Sequence, residues 1–231
     1  MNHYIKAIRS LDLDSIQAMI EKDPSWLKWE EPDGKNALHY LLSLRPGENK
    51  KLAADILTIL KFLLKKSMDM NSVHRIPEKG GFFRATPVWY AYTRGCNELA
   101  YKWLLQQGAD PERCMFAIAW YDDPAAAALF KKHGAKITDE KGEDQPFFAA
   151  FMWKKFKAAE WFLDNGADVN CRDKNGNTVL LLALKRKFDL EWIEFLLKRG
   201  ADPNIENHLG ISPKKMVGKG KQKKLKQVFG L

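Results

Sequence analysis

Three copies of one tripeptide constrain this chain more than any other feature. Gly108-Ala109-Asp110, Gly166-Ala167-Asp168 and Gly200-Ala201-Asp202 recur, with a variant, Gly134-Ala135-Lys136, between the first two. The glycines are spaced by 26, 32 and 34 residues. A chain that repeats itself at such a period is built from stacked supersecondary units, none of which can bury its apolar face alone. Each tripeptide follows an amphipathic run that closes on a bulky pair: Leu104-Leu105, Phe162-Leu163 or Leu196-Leu197. In the variant only Phe130 keeps that place and Lys131 follows it.

One unit can be read physically. Trp192, Ile193, Phe195 and Leu196 lie at helical spacing and end at Gly200. A glycine there can adopt the left-handed conformation that closes a helix. The chain then turns, makes a polar loop and re-enters a helix at a Thr or Ser that caps it. Pro87 after Thr86 and Pro213 after Ser212 sit at the first helical position, where a missing N–H costs nothing.

The motifs resemble those of the ankyrin-repeat family. Thr86-Pro87-Val88-Trp89-Tyr90-Ala91 is similar to its TPLHxA signature, as is Asn36-Ala37-Leu38-His39-Tyr40-Leu41 and, more loosely, Thr178-Val179-Leu180-Leu181-Leu182-Ala183. Residues 63–71 resemble LLxxGADVN with Ser67 in place of Gly, and Asp173-Lys174-Asn175-Gly176-Asn177-Thr178 resembles the hairpin sequence DxxGxT. The resemblance implies an all-α, ankyrin-like solenoid of about seven helix-turn-helix repeats with hairpin loops. They would form a single domain over 1–231, with repeats at about 1–31, 32–72, 73–110, 111–138, 139–170, 171–204 and 205–231. The first repeat would place helices near residues 4–9 and 15–22. The second carries an insertion around residues 43–55. The third has a long hairpin over residues 77–84, and the fourth is short enough to lose its hairpin. The resemblance is strong over 139–204 and weak over 1–30 and 111–138. Trp89, Phe116, Phe148 and Leu181 stand where the family usually has His; only His39 keeps it, so the hairpins should be less uniformly held.

Charge and cysteine content narrow the partners and the setting. The net charge is +9, which favours an acidic partner. Lys214, Lys215, Lys219, Lys221, Lys223, Lys224 and Lys226 supply most of it, with no acid after Lys214, so the body is nearly balanced. No apolar run approaches the ~18 residues of a membrane span, and residues 1–10 lack the pattern of a signal peptide. A cytoplasmic monomer is expected. Cys96, Cys114 and Cys171 are odd in number and widely spaced, which suits packing residues rather than disulfides or zinc.

Catalytic patterns are missing from the sequence. Gly218-Lys219-Gly220-Lys221 lacks the spacing of a phosphate loop, the five histidines are scattered, and no Gly-x-Ser-x-Gly elbow occurs. The acidic pairs Asp122-Asp123, Asp139-Glu140 and Glu143-Asp144 read as loop carboxylates, and the Asp of each Gly-Ala-Asp as a turn former. No enzyme activity, cofactor or metal is expected. An enzyme built in 73–138 is the least favoured reading.

The ankyrin resemblance implies binding on a concave face, by hairpin tips and the exposed ends of the first helices. Matching each unit gives Thr93 and Arg94 in the third, Trp120 and Tyr121 in the fourth, Met152, Trp153 and Lys154 in the fifth, and Lys185 and Arg186 in the sixth. Arg94, Trp120, Trp153 and Arg186 would then form one stripe of aromatic and basic groups, the residue types of which hot spots are made. The competing reading makes Trp120, Tyr121 and Trp153 fillers of an irregular core. Phe82, Phe83 and Arg84 extend the stripe if the hairpin phenylalanines face a ligand rather than fold back. The leading function is a non-catalytic protein-interaction module acting as adaptor, inhibitor or sequestering protein on an acidic protein surface. The alternative is nucleic-acid or anionic-surface binding through the basic C-terminal helix and neighbouring Lys and Arg.

Overall fold

A computed structural model describes residues 2–138, 145–220 and 222–231. The acidic pairs Asp139-Glu140 and Glu143-Asp144, and Lys221 of the basic tail, lie outside the described residues.

Among the described residues, the chain runs through seven consecutive helix pairs: α1 (His3–Ser10) with α2 (Leu13–Lys22), α3 (Ala37–Leu41) with α4 (Lys50–Lys65), α5 (Pro87–Thr93) with α6 (Glu98–Gln106), α7 (Met115–Tyr121) with α8 (Pro124–Lys132), α9 (Pro146–Met152) with α10 (Phe156–Asp164), α11 (Val179–Lys185) with α12 (Leu190–Lys198), and α13 (Pro213–Lys219) with α14 (Lys223–Val228). One antiparallel hairpin, β1 (His74–Glu78) and β2 (Gly81–Ala85), precedes α5. Two compact units result. The first comprises Met1–Cys114 with Lys132–Ala135, and the second Met115–Lys131 with Lys136–Leu231.

Capping residues set the helix starts. The side chains of Asn36, Thr86, Thr178 and Ser212 accept backbone N–H groups at the heads of α3, α5, α11 and α13. Asp12, Asn49 and Asn97 do the same for α2, α4 and α6. Each satisfies a donor that the helix itself leaves orphaned. The second-repeat insertion is absorbed partly into α4, which reaches 16 residues, rather than forming loop throughout. No strand or isolated bridge falls in 111–138 among the described residues, in keeping with the missing hairpin.

Within each unit the first helices pack on one another, α1 on α3 and α3 on α5 in the first, α7 on α9 and α9 on α11 in the second. The first unit buries Tyr4, Ile8, Leu38, Ile56 and Leu60; the second buries Phe130, Phe147, Phe151 and Phe162. Aromatic rings fill much of the second core: Phe151 stacks against Phe188, and Phe156 against Trp192 at a ring separation of 3.5 Å.

The repeated turns also bond repeat to repeat. The carboxylates of Asp69, Asp110, Asp168 and Asp202 each accept the backbone N–H two residues on, the local role expected of them. The asparagines at two of these turns, Asn71 and Asn170, reach the next repeat. Asn71 Oδ1 accepts the Asp110 N–H at 2.9 Å, and Asn170 Oδ1 accepts that of Asp202 at 2.8 Å while its Nδ2 donates to the Gly200 carbonyl. Among the described residues, Asn204 makes only the local contacts. Replacing Asn170 with Ala should therefore cost about 1–2 kcal/mol in urea unfolding, and Asn204→Ala no more than about 0.5 kcal/mol. Equal losses would mean that the inter-repeat bonds add nothing.

Candidate functional site

The surface of the second unit is built by the turns that join first and second helices. Asp122, Lys154 and Lys187 adopt positive φ at 55°, 60° and 55°. The residue after each closes back on the preceding helix: Asp123 N–H on the Ile118 carbonyl, Lys155 on Ala150, and Phe188 on Ala183. This closure leaves Tyr121 and Lys185, the last residues of α7 and α11, exposed at the turn. Leu11 and Cys96 occupy the same place in the first unit.

These turns fix a register that the sequence matching missed. Counted back from the left-handed residue, Arg94, Trp120, Met152 and Lys185 are equivalent; Gly95, Tyr121, Trp153 and Arg186 form the next row. Arg94, Trp120, Trp153 and Arg186 therefore do not share one position, and the proposed stripe steps by one residue between Trp120 and Trp153. Met152 departs further from expectation. It is 9% exposed and packs inward, because its row turns into the core in the fifth pair. Thr93 is likewise buried, its hydroxyl donating to the Trp89 carbonyl.

Trp120 and Trp153 meet despite the step. Their rings stand edge to face at 5.1 Å, with 54% and 39% of each residue exposed. They are surface residues, not fillers of the core. Tyr121 beside them is 48% exposed. Phe116 backs Trp153 at 6.5 Å, and the Lys155 ammonium lies 5.7 Å from the Trp120 ring. Arg186 donates to the Met152 carbonyl at 3.5 Å, Lys154 sits over the Phe188 ring, and Lys185 donates to Asn177 Oδ1 at 3.0 Å. The carboxylates between α7 and α8 are structural. Asp123 caps α8 through the Ala126 N–H, and Asp122 accepts the Ala158 N–H of α10, which has no cap of its own. Phe116, Lys155 and the cross-repeat role of Asp122 escape sequence matching because each depends on which turns lie side by side.

In the first unit, Phe83 and Arg94 converge on Trp89, at 5.2 and 5.6 Å. Phe83 thus folds back, while Phe82 and Arg84 stay exposed. The hairpin is anchored by His74, whose Nδ1 lies 2.6 Å from the Tyr90 hydroxyl and Nε2 3.1 Å from Asp33 Oδ2. His39 packs edge-on against Tyr90. The later hairpins are held differently, through Asn177 on Asp173 and through Asn207. Cys114 is buried and Cys171 half-buried, their thiols pushed up by burial, Cys171 to about 12; Cys96 is exposed, so it is not a packing residue. Among the described residues no cluster of His, Cys, Asp and Glu could hold a metal ion, and no helix is long and apolar enough to cross a membrane.

Residues 147–197 match the family model for ankyrin repeats in many copies. The ankyrin repeat domain of Bcl-3, a member of the IkappaB protein family, superposes with a TM-score of 0.73 at 15% identity, covering 100% of this chain and 99% of that one. The human ASB11 ankyrin repeat domain gives a TM-score of 0.68 at 17% identity, covering 99% and 96%. The chain has the ankyrin-repeat fold. An ankyrin repeat-containing protein of Treponema pallidum is 37% identical over 93 residues, 39% of this chain and 30% of the relative. An ankyrin repeat protein of fowlpox virus is 43% identical over 47 residues, 20% of this chain and 9% of the relative. The chain thus spans less than a third of the length of these relatives. Ankyrin repeats are generally non-catalytic modules that bind other proteins.

Two measurements check the ankyrin surface and its anchors. Trp120→Ala should cost less than about 1 kcal/mol in unfolding, against about 3–5 kcal/mol for the buried Phe162→Ala; a loss above 3 kcal/mol for Trp120 would return it to the core. Burial, with the nearby His74 charge, lowers the His39 pKa from 6.5 to about 4. Below pH 6.5 the unfolded imidazole takes a proton that folded His39 refuses until about pH 4. Stability should therefore decline as pH falls through that window, by an amount on the order of 3 kcal/mol when complete. In His39→Asn that part of the slope should vanish.

Proposed function

We propose that the chain is a non-catalytic protein-interaction module that grips a partner through the Trp120–Trp153 pair. The observation that carries this reading is a solvent-exposed edge-to-face indole pair with Lys155 over one ring. Water gains when such area is covered, and Trp is among the residues most often found at the energetic centre of an interface. A cation beside an aromatic ring gains strength as a partner excludes water from it. Lys154 and Lys155 follow Trp153 in the chain and Arg186 bonds the carbonyl of neighbouring Met152, so the complementary surface is an acidic protein face carrying one or more apolar side chains. The ankyrin architecture supports the same conclusion. Adaptor, inhibitor and sequestering roles share this chemistry.

Affinity purification from the native cell, with wild type beside the Trp120→Ala/Trp153→Ala double variant, tests the reading. A partner bound by wild type should lose at least about tenfold in affinity in the variant. A partner retained equally by both would remove the pair from the interface.

A second reading, binding of nucleic acid or another anionic surface, is favoured by one observation. Lys214, Lys215, Lys219, Lys223, Lys224 and Lys226 lie on or beside α13 and α14, and of these only Lys215 pairs with an acid, Glu206, among the described residues. Phosphate binding should weaken steeply with salt, with a logarithmic slope of about −0.7 per neutralised phosphate on a single strand. A complex held by Trp120 and Trp153 should respond far less.

A further inference from the structure

The β1–β2 hairpin pairs two arginines directly across its strands. Register matches His74 with Ala85, Arg75 with Arg84, Ile76 with Phe83, Pro77 with Phe82 and Glu78 with Gly81. Side chains alternate between faces. His74, Ile76, Phe83 and Ala85 are buried or half-buried; Arg75, Pro77, Phe82 and Arg84 form the exposed face.

The direction of the backbone groups follows from one bond. The Arg75 N–H donates to the Asp33 carbonyl at 2.7 Å, outside the hairpin. Arg75 and Arg84 are therefore a non-hydrogen-bonded pair, the closer kind, with Cα atoms about 4.5 Å apart. Pro77 and Phe82 form the next such pair, and Pro77 stands where an N–H would otherwise point outward. The outer edge of β1 is thus closed by Asp33 and Pro77.

The outer edge of β2 is open. Phe82 and Arg84 turn their N–H and C=O groups to it, and neither makes a backbone bond outside the hairpin among the described residues. Elsewhere the turn of one repeat is met by the repeat that follows: the His208 N–H donates to the Asn175 carbonyl at 3.1 Å, as the Arg75 N–H does to that of Asp33. Among the described residues no backbone group makes such a bond to the β1–β2 turn, and residues 111–114 form a turn closed by Cys114 N–H on the Pro111 carbonyl.

Two guanidiniums facing each other across a strand pair are destabilising without an anion between them. Neither Arg75 nor Arg84 forms an ion pair among the described residues. We propose that β2 takes an extended acidic segment of a partner protein as a third strand, whose side-chain oxyanion, carboxylate or phosphate, is held by Arg84 and Arg75. A residue paired with Arg84 places its side chain on the arginine face. The residue two positions along meets Phe82 and Pro77, so the segment carries an apolar side chain there. Main-chain bonds to Phe82 and Arg84 supply affinity and the alternate side chains supply specificity. Self-pairing of two β2 edges is disfavoured, since it would gather four arginines on one sheet. This site stands independently of the Trp120–Trp153 contact.

The probe is a blocked heptapeptide alternating threonine and valine, with phosphoserine, glutamate or serine as its central residue, titrated into the full chain. Phosphoserine, which carries close to two charges, should bind tightest, glutamate about tenfold more weakly, and serine not measurably. Arg75→Glu sets opposite charges across the strands, so the fold should hold or gain stability in urea while phosphopeptide binding falls to the serine level. Phe82→Pro removes one outward N–H with both arginines intact, and should abolish binding too. Trp120→Ala should leave peptide affinity unchanged. Absence of phosphopeptide binding, equal binding of the serine peptide, or unchanged binding by Arg75→Glu would overturn the proposal. Full binding by a folded Phe82→Pro would overturn the strand addition.

Discussion

The surface of this chain depends on a tight closure that recurs between paired helices. A residue at positive φ follows the first helix, and the next N–H reaches back five residues, as in Asp12 to Ala7, Asn97 to Ala91 (here six residues), Asp123 to Ile118, Lys155 to Ala150 and Phe188 to Ala183. Closing the helix this way satisfies carbonyls that would otherwise be orphaned. It costs a non-glycine residue in a left-handed conformation, at Leu11, Cys96, Asp122, Lys154 and Lys187. The return is a fixed orientation for the one or two side chains before it. Trp120 and Trp153 are held at the surface by that backbone geometry, and their edge-to-face contact is available without ordering a loop first.

A second consequence concerns how neighbouring repeats support one another. α10 lacks a side-chain cap of its own, and Asp122, standing at the left-handed position of the preceding pair, provides one through the Ala158 N–H. The same turn therefore presents Trp120 and Tyr121 outward and secures the next helix. Asn71 and Asn170 tie the Gly-Ala-Asp turns together within their own units. The exposed aromatic surface and the inter-repeat bonding are built from the same few residues, so a change at Asp122 would act on both.

The repeated helix pairs were legible because their signals are local: a Gly that can turn left-handed, a Thr or Ser cap, and apolar residues at helical spacing. The missing hairpin of 111–138 was legible from length alone. The step in register between Trp120 and Trp153 was not, since it depends on where each helix closes, and the left-handed residues Asp122 and Lys154 carry no glycine to mark it. Met152 was misplaced for the same reason. Phe82 and Phe83 left two readings open in sequence, and strand alternation divides them, one outward and one against Trp89. His39 keeps its contact with hairpin backbone by accepting the Asn36 N–H, while the added anchoring of β1–β2 by His74 was hidden, because Asp33, His74 and Tyr90 come from three separate segments.

Irregularity in a repeat array has a physical consequence beyond lower symmetry. A regular row of hairpins sets each turn against the next repeat, as at Asn175 and His208. Among the described residues the outer edge of β2 makes no backbone bond outside its hairpin. Natural proteins blunt such edges with charge, proline or brevity, because an open apolar edge invites aggregation. Here Pro77 and Asp33 close one side of the hairpin, and Arg84 guards the other with like charge from Arg75 behind it. The same two arginines that would repel a second copy favour an oxyanion. A device that prevents the wrong pairing thereby selects the right one.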